Sequence, residues 1–277
     1  MKNTVLEFGF DDYLSPFTWR YASDEMRGVF SERNRRLAWR KIWVALARAQ
    51  CKAGLVSKIE LADIEAHAKQ IDIGRSLAIE EETRHDVVAE VKAFAEQCKT
   101  GGGKIHLGAT SMDVVDNADA LAALQALEIT RSRLFALLAC FKKKIDYYAG
   151  TPCIGFTHLQ PAEPTTLGYR FAFYAQSLLE DFEWVDWWTK NFKAKGFKGA
   201  TGTSASYAAL LAGTKMRPAE FEKLVLDELG LRAFEVTNQT APRRQDYVVL
   251  CALASVAQDA HKFAFDVRFL QTPAYGE

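Results

Sequence analysis

Three intervals of this chain, 112–149, 165–195 and 243–272, are almost empty of helix breakers, with Gly168 the one glycine or proline inside them. Each is long enough for about 30 helical residues, a rod of roughly 45 Å at 1.5 Å per residue. Rods of that length are longer than a compact domain of 277 residues needs, so they are expected to lie side by side, each burying a stripe against its neighbours. No run of alternating polarity, no hairpin turn signature and no internal repeat competes with this reading. The expected fold class is all-α, with a small N-terminal helical domain over 1–110 and a long-helix bundle over 111–277.

Shorter signals place further helices. From Ser31 to Ala53, apolar residues recur at Leu37, Trp39, Ile42, Trp43, Leu46 and Ala49, and Gly54 stands where a terminating glycine belongs. Ser57 and Glu60 have the spacing of a capping box and predict a second, short helix. Gly9 and Pro16 mark an irregular N-terminal arm, Pro242 suits a first helical position, and Pro273 a stop. The aromatic run around Trp184, Trp187 and Trp188 reads as bundle core or subunit contact.

Charge and composition narrow the function. Lys+Arg and Asp+Glu are both 35, so no overall basic field exists to collect nucleic acid or an anionic membrane. The chain opens without a signal-peptide run, and charged residues interrupt its later apolar stretches, which predicts a cytoplasmic protein that does not cross a membrane. The five cysteines are widely spaced and contain no CxxC pair, so they read as reduced thiols with no metal knuckle.

The chemistry is expected in the segments that join the helices. TRHDVVAE (83–90), KIHLGATSMDVVDNADA (104–120) and GFTHLQPAEPTT (155–166) each carry one histidine near the expected start of a helix, where unpaired amides favour anions. A lone histidine is ordinarily a surface or satisfied core residue; three in matching contexts suggest a built polar site. Thr110 and Ser111 after Gly108 could donate to a carboxylate or phosphate, or cap the helix that follows. KGFKGATGTSASY (195–207) has the glycines and hydroxyls of a flexible anion-binding loop but lacks the terminal GK[ST] of a P-loop. GGG at 101–103 reads as a turn, and His67 and His261 as structural residues.

Taken together and in order, RYASDEM (20–26), RHDVVAEV (84–91), HLGATSMDVVDNAD (106–119), GFTHLQPAEPTTLGYR (155–170), KGATGTSAS (198–206) and NQTAPRRQD (238–246) resemble the adenylosuccinate lyase family of the fumarase/aspartase superfamily, most closely its animal-type branch. The resemblance implies a C–N lyase of purine and AMP biosynthesis that needs no cofactor or metal. Fumarate would be eliminated from adenylosuccinate to leave AMP, and from succinylated aminoimidazole carboxamide ribotide (SAICAR) to leave AICAR. By the same resemblance His158 and His85 are the catalytic histidines, His158 as general acid and His85 as a residue that orients substrate. Arg84, Asp86, His106 and Thr157 fall to substrate binding, Thr110, Ser111 and Gln239 to the succinyl group, and Arg20 and Tyr21 to the phosphate. A homotetramer is implied, with active sites shared among subunits around a common bundle.

The sequence departs from the family at its end, PAYGE, before the loop that carries the family's base serine and a substrate-binding lysine, and before a third helical domain. These 277 residues alone are therefore expected to be inactive. The alternatives are a non-catalytic member serving as a binding or structural protein, and a superfamily enzyme acting on another substrate.

Overall fold

The computed structural model describes residues 15–276, so the N-terminal arm around Gly9 lies outside the described residues. A π turn at Phe17–Tyr21 precedes ten α-helices: α1 Asp24–Val29, α2 Glu32–Lys52, α3 Lys58–His67, α4 Ile73–Thr83, α5 Asp86–Gln97, α6 Ser111–Tyr147, α7 Leu167–Asn191, α8 Ala205–Leu211, α9 Pro218–Leu229 and α10 Arg244–Leu270. The long breaker-free intervals are α6, α7 and α10, and the fold is all-α in class.

Local chemistry sets the boundaries. Ser31 and Ser57 cap α2 and α3 with their hydroxyls, and Glu60 reaches back to the Ser57 amide to complete the box. Gly54 takes φ +80° just past α2, a conformation glycine adopts at no steric cost. Pro242 lies one residue outside the N-cap Arg243 and not at a first helical position, so α10 begins slightly later than its proline suggested.

The chain forms two compact units. In the first, the described residues up to Ala123 pack with Lys193–Ala241. Its core is built on α2, whose Trp39, Ile42, Trp43 and Leu46 are buried, together with Phe94 of α5 and Phe221 and Val225 of α9. Inside it, Arg40 Nε donates to Glu90 at 2.7 Å and Arg36 approaches the same carboxylate at 3.4 Å, all three side chains being fully buried.

The second unit holds Leu124–Phe192 and the residues from Pro242 onward. Phe141 of α6 meets Phe171 of α7 edge to face at 6.1 Å and Phe263 of α10 at 5.2 Å, and Tyr174 donates to Asp266 at 2.7 Å. Trp184 and Trp187 are half exposed in this chain, and so are Tyr247, Leu250 and Phe265 on α10. The expectation that charge interrupts every apolar stretch fails at α10. By length and composition this helix could cross a membrane, with a mean hydropathy of 1.2 over its most apolar window.

The second unit also contains a β-hairpin that the sequence did not announce, β1 Pro152–Thr157 and β2 Gln160–Thr166. Its register runs from Pro152 opposite Thr166 to Gly155 opposite Glu163, then shifts by one so that Ala162 is left out as a bulge. The sequence does not signal the hairpin, because its two-residue turn is His-Leu, without the usual Asn-Gly, and because Pro161 and Pro164 argue against a strand. Each strand of a two-stranded sheet has one side without a partner, and a proline whose nitrogen faces that side costs no ladder bond. At the base, Gly168 lies so close to the end of α6 that an added Cβ would sit 2.7 Å from the Ala149 backbone.

Candidate active site

In the first unit the site grows from the N-terminus of α6. Asp113, fully buried, accepts from the Thr110 amide at 3.1 Å and the Tyr207 hydroxyl at 3.0 Å through Oδ2, and from Lys195 and the Gly199 amide at 3.3 Å through Oδ1. One carboxylate thus fastens the Thr110–Ser111 turn to the 195–204 loop. Burial, then the Asp113 charge, push the Tyr207 phenol well above its ordinary range, so it stays a donor. One turn on, Asn117 pairs with both the amide and the carbonyl of Gly196, at 2.9 and 3.0 Å, and Asp116 accepts from the Ala241 amide at 2.7 Å.

This arrangement fastens the 195–207 segment, which is not the loosely held loop that its glycines suggested. Its lysines are already engaged, Lys195 with Asp113 and Lys198 with Glu222 at 2.6 Å, and a side chain at Gly202 would collide with the Thr237 carbonyl. Asp113, Asn117, Lys195 and Tyr207 were not among the residues singled out from sequence. The readable signal is the Asp113, Asp116, Asn117 spacing, a polar stripe at helical period in the first turns of α6.

Two of the expected histidines meet here. His85 is the N-cap of α5, and the Val88 amide points at its Nδ1 at 3.5 Å. The same Nδ1 lies 3.5 Å from Asp86 Oδ1, and Nε2 lies 3.4 Å from Ser111 Oγ. Arg84 closes α4 in a left-handed conformation, and Asp86 accepts from the Val87 amide at 2.7 Å while facing Arg35. His106 accepts at Nδ1 from the Trp43 indole at 3.0 Å. Burial first, and the neighbouring His85 charge, hold its pKa below the ordinary histidine value against the pull of Asp113.

His158 belongs to the second unit and sits at the exposed tip of the hairpin, a correction to the expectation of a helix start. His158 and Leu159 are the two turn residues, with φ of +53° and +61°, between Thr157 and its partner Gln160. Both angles positive is the type I′ geometry that matches strand twist but is disfavoured for side chains with a Cβ. Phe156 and Leu159 are tied to Tyr275, beyond α10, by ring contact at 4.9 Å and by a 3.4 Å hydrogen bond to the Leu159 carbonyl.

Of the remaining candidates, Arg20 and Tyr21 lie exposed on the π turn, with the guanidinium 5.9 Å from the ring of Tyr21. Gln239 is exposed, its backbone N–H donating to Asn238 Oδ1 at 2.9 Å. Among the described residues Asp63, His67 and Cys98 could converge on a metal ion. Two backbone amides, of Thr100 and Gly101, already take one oxygen of Asp63, and burial pushes the Cys98 thiol up to about 11, so it is protonated at neutral pH.

Backbone strain marks these segments independently of side-chain chemistry. Among the described residues, the non-glycine residues with positive φ are Arg84, His106, His158, Leu159 and Ser204, all inside the histidine-bearing and loop segments. Each such residue costs of order 1 kcal/mol or more and persists only where its surroundings over-determine it, a pattern typical of functional sites.

Long helices joined by strained, histidine-bearing connectors are the features on which the comparison with known proteins bears. Residues 18–277 match the family described as Lyase, and the chain belongs to it. The fold is similar to that of the 3-carboxy-cis,cis-muconate lactonizing enzyme from Pseudomonas putida, with a TM-score of 0.82 and 27% identity over 94% of this chain and 59% of that one. It also resembles the fumarate lyase from Mesorhizobium sp. BNC1, at a TM-score of 0.81 and 26% identity over 93% of this chain and 59% of that one. In sequence it is 39% identical to adenylosuccinate lyase from Saccharomyces cerevisiae, over 94% of this chain and 55% of that protein. Against adenylosuccinate lyase from Pyrococcus horikoshii it is 35% identical, over 93% of this chain and 56% of that protein. The chain thus spans just over half the length of the curated relatives it matches.

Proposed function

We propose that this chain serves a C–N lyase that eliminates fumarate from adenylosuccinate, leaving AMP, and from SAICAR, leaving AICAR. The observation that carries this reading is the gathering of every strained non-glycine residue among those described into the segments that resemble adenylosuccinate lyase. The names of the relatives support it.

In such an elimination a base takes the proton β to the nitrogen, negative charge develops on the adjacent carboxylate, and an acid protonates the departing amine as the C–N bond breaks. Thr110 and Ser111, at the start of α6, offer a hydroxyl pair and a helix N-terminus to the succinyl carboxylates. His85 orients substrate beside them, with Arg84 and Asp86 at its flanks. His158 is the acid, aimed by a turn whose torsions leave it little freedom, and Thr157 lines the approach to it. Gln239 completes the succinyl contacts and Arg20 with Tyr21 takes the phosphate. His106 binds substrate through the ring edge that Trp43 leaves free. The exposed apolar face of α10 favours a homotetramer, in which partner helices would cover it, and the reading places the enzyme in the cytoplasm.

The test is His158→Ala in the native protein, with fumarate release followed by absorbance. A transition-state acid lost in this way should lower kcat by about 10² to 10⁴-fold with little change in KM. A raised KM with unchanged kcat reassigns His158 to binding, and no release of fumarate by the unsubstituted protein refutes the reading.

A further inference from the structure

The indole N–H of Trp43 can only donate, and it donates to Nδ1 of His106 at 3.0 Å. The rings stand edge to face, 6.0 Å apart at 81°, and Trp43 is held in place by the core, 1% exposed and in contact with Trp39 and Phe94. An Nδ1 that accepts carries no proton, so the single proton of the neutral ring stands on Nε2. Protonating the ring would set one N–H against another, losing the bond and stranding a buried donor.

We propose that Trp43 is a positioning residue that locks His106 as the neutral Nε2–H tautomer, so that His106 serves the site as an uncharged hydrogen-bond donor and not as an acid, base or cation. The backbone cooperates, since His106 is itself held at φ +68°. Of the charged groups near the ring, Asp113 on α6 draws it toward protonation, while burial and His85 at the head of α5 oppose this and prevail. A donor of this kind has a purpose in the elimination proposed above, on which this part of the inference rests. Neutral imidazole is far too weak an acid to surrender its N–H to a carboxylate, so it can hold the charge that develops on the succinyl group without quenching the intermediate by proton transfer.

The experiment is side-chain nitrogen NMR on protein labelled with 15N-histidine, with His106→Gln identifying the signals of residue 106 among the five histidines. The expected result is a bare Nδ1 and a protonated Nε2 that persist as the pH passes through about 6.5, where a free histidine titrates. Trp43→Phe should replace this single tautomer by a mixture and return the titration toward the ordinary value. A wild-type His106 that carries its proton on Nδ1, or that titrates as a free histidine does, overturns the proposal even if Trp43→Phe does not fold. The outcomes also separate the lock from the reaction. A locked His106 in a native protein that releases no fumarate refutes the elimination and leaves the lock standing; fumarate release with an unlocked His106 does the reverse.

Discussion

His106 and His158 share a left-handed backbone, at φ +68° and +53°, but are fixed in orientation by different surroundings. His106 is aimed by side chains: a buried tryptophan fixes its tautomer, and the turn that follows it is tied to the core by Asp113. His158 is exposed and is aimed by its backbone, a strained two-residue turn at the end of a ladder, steadied from outside by Tyr275. The difference suits their proposed tasks. A binding donor gains from desolvation, which strengthens its hydrogen bond, whereas an acid that must reload its proton gains from contact with water.

Breaking the first mode should have the larger thermodynamic effect. Asp113→Asn leaves Lys195 buried without its counter-charge, and the expected loss is about 3–5 kcal/mol, the usual consequence of removing one partner from a buried pair. Urea unfolding measures it; a loss below about 1 kcal/mol would mean that the 195–204 loop rearranges to hydrate the lysine, as an exposed pair would allow.

The second mode should respond in the opposite direction. Leu159→Gly removes a side chain from a left-handed position and should leave stability unchanged or raise it by about 1 kcal/mol, while lowering turnover because the tip is freer. A thermal melt beside a kcat measurement checks both halves, and a destabilised hairpin with full activity would show that the turn is not what aims His158.

The smallest effect is on pH dependence. The folded-state pKa of His106 lies below its unfolded value of about 6.5, so the unfolded chain takes up the proton first as pH falls. This contribution to stability is therefore complete above about 6.5, declines as pH drops from there toward the folded pKa, and is flat below it. His106→Asn should flatten that part of the profile, and an unchanged slope would locate the acid sensitivity elsewhere.

The helices were legible in the sequence because a breaker-free run or a Ser-capped amphipathic period is a local property. Ser31, Ser57 and Gly54 each act within a few residues of themselves. The hairpin was not legible, because proline and a His-Leu turn are poor strand and turn formers that tertiary context overrides here. The return of 193–241 to the first unit had no local signature either. It depends on pairings such as Asp113 with Lys195 and Asn117 with Gly196, whose partners lie about 80 residues apart in the chain. The candidate histidines could be picked from their segments, but Trp43 read as an ordinary core position, since nothing in a helical period distinguishes a tryptophan that packs from one that also donates.

Gly168 has a bearing on how such a protein can change. Its hydrogen points at the backbone of Ala149 and the Ile145 carbonyl, groups that cannot swing aside as a flexible side chain would. Any other residue there must lift the foot of the hairpin from the end of α6, and the His158 turn is carried on that hairpin. Position 168 therefore has no permissive neighbours in sequence space: a lineage that keeps this hairpin keeps this glycine.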